Sequence, residues 1–488
     1  MNILFAASEA FPFIKTGGLG DVIHSLPVAL NRLGDNVRLV LPAYRDVLAS
    51  VDSLKDLGTI DVPGAGVRHK VRIIQAHEDI LGDYLYLVDV PDLFDRPGNP
   101  YVHSDGYAWP DNAERYAVFS RAVALLAKWI PGSNWRPDVV HCHDWQTGLV
   151  PAFLRMVHNA PASIFTIHNL AYDGHFSQQD FNNLSLPPVW WSPDFTEFYG
   201  GFSMLKAGII FSDHVTTVSP TYAKEICTPE FGIRFDGVLR HLGDKLTGIL
   251  NGIDLDVWNP QTDKHIAKNY SVDDNFTEGK SENKKDLLKA AGLPESDAPL
   301  LGFIGRLVEQ KGVDLITDIL PQLFDTTDAN MVLLGSGHMA YETDLTRLAA
   351  KYPQRLHVHI GYSEELAHKI EAGADMFIMP SRFEPCGLNQ MYSLRYGTPP
   401  VVNNTGGLAD TVVDVSLKTL KDKTATGFVI KQTASEALYT MVLSALDLYK
   451  NTKLWHQICI TAMQQELGWE ASAKEYQKLY RAEVKAKQ

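Results

Sequence analysis

Two spacings of apolar residues alternate along this chain. Short, largely apolar runs fall at 2–7, 37–41, 84–88, 138–141, 163–167, 214–218 and 246–250, and again at 300–304, 331–334, 356–360, 376–379 and 400–402. Between them apolar positions recur at helical spacing, as where Val22, Leu26, Ala29, Leu30 and Leu33 share one face, and over 112–129 and 148–158. Near-continuous apolar runs suit strands covered on both sides. The strand-then-helix order therefore predicts an α/β protein with two parallel, doubly wound sheets. A charged stretch over 259–298, with Asp273, Asp274, Glu278, Lys280 and Glu282 close together, reads as a solvated connector with a short helix over 284–290. Beyond about residue 434 the pattern is helical only, so the end of the chain is expected to pack back across the first domain. The domains read as 1–255, 256–455 and 456–488.

The chemistry collects where strands end. After the first strand comes Lys15-Thr16-Gly17-Gly18-Leu19-Gly20-Asp21-Val22, opening a helix. Glycines there let main-chain N–H groups close on a ligand, and the helix N-terminus together with Lys15 suits phosphate oxygens. A tight strand-to-helix turn would need the same glycines. The strand at 300–304 runs into Gly305-Arg306-Leu307-Val308-Glu309-Gln310-Lys311-Gly312, which sets two cations at the carboxyl edge of a sheet, where open α/β folds bind ligands. Arg306 as a fork and Lys311 as a point charge fit a diphosphate. After 376–379 comes Pro380-Ser381-Arg382-Phe383-Glu384-Pro385-Cys386-Gly387-Leu388, with a helix expected from Gly387. Glu384 is able to accept sugar hydroxyls, or to act as a helix-start carboxylate. Thr405-Gly406-Gly407-Leu408 opens one more helix.

Composition removes alternatives more than it adds any. A length of 488 residues implies two or three domains. A net charge of −14 argues against a nucleic-acid partner. Cys142, Cys227, Cys386 and Cys459 lie far apart without a C-x-x-C pair, as expected in the cytoplasm. The N-terminus lacks a basic region before its apolar run and reads as a strand. No stretch is long and apolar enough for a membrane span. Nothing in the pattern speaks to oligomeric state.

Together these motifs resemble the bacterial glycogen synthases, which are similar to plant starch synthases and belong to the retaining glycosyltransferase-B class. Further anchors are His143-Asp144-Trp145, Ile167-His168-Asn169 and Leu250-Asn251-Gly252-Ile253-Asp254. The resemblance spans nearly the whole chain, and the order and spacing of the anchors are its specific part. It implies two Rossmann-like domains facing across a cleft, with hinges near 251–258 and in the C-terminal helices. It also implies transfer of glucose from ADP-glucose to the non-reducing end of an α-1,4-glucan with retention, and no metal or other cofactor. It assigns Lys15 and Gly18 to the donor, with Asp21 in support. Arg306 and Lys311 would hold the diphosphate and stabilise the departing ADP. His168 would lie against the transferred glucose with Asn169, Asp144 and Trp145 near it, and Asn251 and Thr405 complete the substrate set. Glu384 would hold glucose hydroxyls, Cys386, Gly387 and Leu388 would line that side, and Tyr362 would sit beside the base. Lys15, His168, Arg306, Lys311 and Glu384 form the catalytic set.

Retention by double displacement needs a nucleophilic carboxylate and a partner about 5 Å away. The motifs supply Glu384 and no second carboxylate, so front-face attack is expected, the leaving phosphate taking the acceptor's proton. Many retaining transferases carry a second Glu eight positions on; here that position is Tyr392. Tyr107 and Trp109 are candidate glucan contacts, with core packing as the competing reading. Three features are read as decoys: Asp254-Leu255-Asp256 as a metal triplet, His141, His143 and Asp144 as a zinc site, and Cys386 as a nucleophile. Two enzyme alternatives are a transferase using UDP-glucose and one using another acceptor. A non-catalytic glucan-binding scaffold is the alternative of another class. A nicotinamide oxidoreductase is disfavoured because the first loop is not G-x-G-x-x-G.

Overall fold

The computed structural model describes the whole chain except residues 52, 79–81 and 104. It forms two compact units, one of Met1–Val218, Ala223–Gly252 and Trp469–Gln488, the other of Ser219–Tyr222 and Ile253–Gly468. The chain thus leaves the first unit after Gly252 and re-enters it at Trp469, against 255 and 456 read from the sequence. Packing explains the later return: helix Thr452–Met463 buries Trp455, Cys459 and Met463 in the core of the second unit. The last helix, Trp469–Lys487, buries Tyr476 and Tyr480 in the first.

The first unit is built on a nine-stranded sheet. Its order is Leu246–Gly248, His214–Thr217, Ala162–Ile167, Val139–His143, Asn2–Ala6, Asn36–Pro42 and Gly82–Asp89, all parallel, then Arg68–Glu78 and Ser53–Pro63, both antiparallel to their neighbours. The parallel, doubly wound sheet expected from the sequence is present, and the two antiparallel strands extend it at one edge. The apolar runs at the centre are sealed on both faces, Val139–His143 and Ala162–Ile167 being buried at every position. The outermost strand is mostly exposed and carries a bulge between Asp56 and Gly58. Charges and a bulge at an edge discourage pairing with another chain. A small antiparallel sheet of His175–Phe176, Gly201–Ser203 and Glu197–Phe198 was also not anticipated.

The second unit holds a six-stranded, all-parallel sheet in the order Leu356–Ile360, Asn330–Gly335, Leu300–Ile304, Met376–Met379, Pro400–Asn403 and Phe428–Ile430. The last strand, three residues at the edge, is the one the pattern did not predict. The connector becomes ordered. Its helix runs over Phe276–Ala290, longer than expected, because Phe276, Leu287 and Leu288 bury on one side while Lys280 and Lys284 reach carbonyl and carboxylate partners.

Candidate active site

In the first unit, the chain after Asn2–Ala6 enters the glycine loop under the control of Glu9. That carboxylate is 3% exposed. It accepts the Thr16 N–H at 2.5 Å, the Thr16 hydroxyl at 2.6 Å and the Tyr101 hydroxyl. Gly17 then stands extended before helix Gly18–Arg32 and supplies no side-chain cap to its first N–H groups. Lys15 is paired with Asp21 at 2.8 Å. With both side chains partly in solvent, that pair orients Lys15 more than it stabilises the fold.

Asp144 follows the strand Val139–His143 in a conformation (φ 57°, ψ −179°) that side-chain-bearing residues rarely adopt, at a strain of about 1–3 kcal/mol. Its neighbours hold it there: its N–H donates to the Thr166 carbonyl at 3.0 Å, and its carboxylate accepts the His168 N–H at 2.7 Å. Burial pushes the Asp144 carboxyl up to about 7, against the downward pull of the His168 and Asn169 backbone N–H groups. Trp145 packs edge-on to Tyr116 at 4.9 Å and needs a glycine at 174, where a Cβ would fall 2.5 Å from its ring. The His168 ring meets His143 through Nε2 at 3.0 Å, and burial pushes its pKa down to about 3, so it stays neutral. Asn169 turns its side-chain oxygen to the Ala171 N–H. Asn251 is buried, and its side-chain oxygen has no hydrogen-bond partner.

In the second unit, Leu300–Ile304 delivers Arg306 to an exposed position, where it donates to Gln310 Oε1 at 3.2 Å. Lys311 is drawn inward. Its Nζ lies 2.5 Å from Glu384 Oε2, an oxygen that also accepts the Ser381 hydroxyl at 3.0 Å. The two loops touch because residue 312 is glycine: it has φ +68°, and a Cβ there would sit 2.3 Å from the Pro380 carbonyl oxygen. Gly406 and Gly407 do the same for the next loop, where added Cβ atoms would fall 1.9 Å from the main-chain carbonyl oxygen of Glu384 and 2.0 Å from that of Cys386. Thr405 is buried at the head of helix Gly406–Thr411, and Cys386 is 5% exposed. The helix expected from Gly387 begins at Asn389, because Gly387 is left-handed (φ +73°) and Leu388 caps the helix. Tyr362 is 78% exposed, with its hydroxyl on the Glu364 carboxylate.

The family model described as "Starch synthase catalytic domain" matches residues 2–241, and the model "Glycosyl transferases group 1" matches 284–458. A "Glycogen synthase" of Hydrogenovibrio crunogenus is 50% identical over 99% of this chain and 100% of its own length. The chain belongs to the bacterial glycogen synthase family. "Glycogen synthase 2" of Nitrosococcus oceani is likewise 50% identical, covering 98% of this chain and 96% of that one. Among solved structures, the catalytic domain of starch synthase IV from Arabidopsis thaliana, bound to ADP and acarbose, matches with a TM-score of 0.88 and 33% identity over 99% of both chains. Sucrose-phosphate synthase from Thermosynechococcus elongatus shares the fold alone, with a TM-score of 0.61 and 18% identity over 99% of both chains. The fold is therefore glycosyltransferase-B, and the chain is a glycosyltransferase.

Against that family, the structure brings Asp144, Trp145, His168 and Asn169 together in one unit, and Lys311, Glu384, Cys386 and Thr405 in the other. Glu9 and Tyr101 were missed. An isolated Glu soon after an apolar run is the signal that could have marked Glu9. Tyr392 is buried against the Trp258 ring (3.8 Å, 11°), which in turn stacks on His368 (4.0 Å, 5°). Tyr107 is 77% exposed, which removes core packing for it. Trp109 is packed between Arg96 and His103 and donates to the Asn99 carbonyl. Among the described residues no group of three His, Cys, Asp or Glu is arranged to hold a metal ion. Asp254 instead accepts the Asp256 and Val257 N–H groups in a turn, and both His141 nitrogens have partners within the unit.

Proposed function

We propose that the chain transfers glucose from ADP-glucose to the non-reducing end of an α-1,4-glucan, with retention of the anomeric configuration. The observation that carries this reading is the Arg306–Lys311 loop seated on Glu384 at the carboxyl edge of a parallel sheet, in a chain similar to a starch synthase solved with ADP. Arg306 and Lys311 neutralise the diphosphate and the charge that grows on it as the glycosidic bond breaks; fixed cations are the useful catalyst at a phosphate leaving group. Glu384, already engaged by Lys311 and Ser381, accepts hydroxyls of the glucose. Lys15 and Gly18, with Asp21 behind them, serve the donor, and His168 with Asp144, Trp145 and Asn169 lies on the sugar. Asn251, Cys386, Gly387, Leu388 and Thr405 line the substrate, and Tyr362 flanks the base.

Glu384 is engaged by Lys311 and Ser381, and the sequence motifs supply no second carboxylate for a double displacement. We therefore favour front-face attack, in which the acceptor's hydroxyl proton passes to the leaving phosphate oxygen. Because side-chain cations supply the charge, no metal is required, and a chelator leaves the rate unchanged. The four free cysteines fit a cytoplasmic enzyme. Competition between ADP-glucose and UDP-glucose with glycogen as acceptor tests the reading. Preferential transfer from ADP-glucose is expected, and equal or reversed preference would refute the donor assignment.

A further inference from the structure

We propose that His143 is a positioning residue that fixes the tautomer of His168, so that His168 offers an Nδ1–H donor, and not a lone pair, to an oxygen of its ligand. His143 Nδ1 and His168 Nε2 stand 3.0 Å apart, a hydrogen-bond distance. Burial holds the pKa of both rings below the ordinary histidine value, so each carries one proton. One nitrogen of the pair must donate and the other accept. The deciding atom is on the far side of His143, where Nε2 is buried with no hydrogen-bond partner.

Were His168 the donor, His143 would keep its proton on that sealed Nε2, leaving an orphaned N–H. Were His143 the donor, Nε2 would be an unused lone pair. Buried N–H groups without acceptors are the rarer and costlier case, so His143 donates. His141 offers no alternative, although its ring lies 4.1 Å from that of His143. Its own nitrogens are taken by the Tyr480 hydroxyl at 2.7 Å and the Thr166 hydroxyl at 2.6 Å. His168 therefore accepts at Nε2 and carries its proton at Nδ1, which has no protein partner among the described residues and is not sealed off. The ligand group it suits is an oxygen acceptor such as a sugar hydroxyl. This rests on the reading that places His168 against the glucose only for the name of that oxygen.

The experiment is long-range 1H–15N spectroscopy of the full-length protein labelled with 15N-histidine, the His168 signals being identified by their loss in His168→Gln. Protonated Nδ1 and unprotonated Nε2 are expected for His168. In His143→Phe, which keeps a ring and removes the donor, the His168 tautomers should mix and kcat should fall about tenfold. His143→Asn, whose amide nitrogen stands where Nδ1 stood and can donate, should recover part of both. A His168 proton on Nε2 in the parent protein, or an unchanged tautomer in a folded His143→Phe variant, would overturn the proposal. Absence of transfer from ADP-glucose would instead defeat the functional reading, leaving the tautomer result standing.

Discussion

Arg306 and Lys311 sit on one loop, yet their removal should have different consequences. Lys311→Ala deletes the cation 2.5 Å from Glu384, a carboxylate that is 6% exposed. Removing one partner of a buried pair leaves an uncompensated charge, at about 3–5 kcal/mol. Ser381 donates to that carboxylate at 3.0 Å in parent and variant alike, so it does not offset the difference. A loss of about 3–5 kcal/mol in unfolding free energy follows. Arg306→Ala removes an exposed side chain whose hydrogen bond to Gln310 is 3.2 Å long, so stability should move by less than about 0.5 kcal/mol. Both variants should lose about 10²–10³-fold in kcat, the value of one donor aimed at developing charge. Adding Glu384→Gln to Lys311→Ala removes the stranded charge and should restore most of the stability but none of the rate. Urea unfolding and glucosyl transfer from ADP-glucose measure the two quantities. An unchanged unfolding curve for Lys311→Ala, or near-normal turnover for Arg306→Ala, would refute the reasoning.

Glu9→Ala removes two hydrogen bonds from Thr16 and one from Tyr101, so donor KM should rise about tenfold or more while Lys15 itself is untouched; an unchanged KM would deny Glu9 that role. Tyr392→Glu puts a carboxylate where a ring is stacked on Trp258, and unfolding free energy should drop by about 3 kcal/mol or more in urea, whereas Tyr392→Phe, which keeps the stacked ring, should lose less. His143 is neutral in the fold and takes a proton on unfolding below about pH 6.5, so stability falls as pH drops through that value, at about 1.4 kcal/mol per pH unit for each such histidine. Asp144, held up to about 7, pulls the opposite way, its contribution being lost as pH rises towards 7. Comparing the slope of His143→Phe with that of the parent isolates the histidine; equal slopes between pH 4 and 6 would contradict a buried neutral His143.

Strands were legible in proportion to how thoroughly they are buried. Leu300–Ile304 and Met376–Met379 read directly, because a run covered on both faces must be apolar throughout. Ser53–Pro63 did not, since an exposed edge strand tolerates Lys55, Asp56 and Asp61 and shows no such run. The same logic separates the site residues. Lys15, Arg306, Lys311 and Glu384 stand beside glycines at strand ends, a local signal. Glu9 acts through Tyr101, 92 residues away, and Tyr392 through Trp258 and His368, so only the fold brings their partners to them.

The two groups of candidate residues also rest on different physics, and this bears on how the reaction responds to pH. Around Lys311 the groups are charged, and their action is electrostatic. Around His168 the histidines are neutral hydrogen-bonding partners fixed by the core of the first unit, and Asp144, held up to about 7, is the group there that changes charge near neutral pH. A histidine whose pKa is pushed down to about 3 does not change charge between pH 5 and 8. It is therefore a poor general acid or base over that range, where efficiency needs a pKa near the working pH. His168→Asn should accordingly lower kcat without changing the shape of its pH profile between 5 and 8. If the parent enzyme shows a limb near pH 6.5 that disappears in the variant, His168 titrates during turnover, and its role as a fixed neutral donor is wrong.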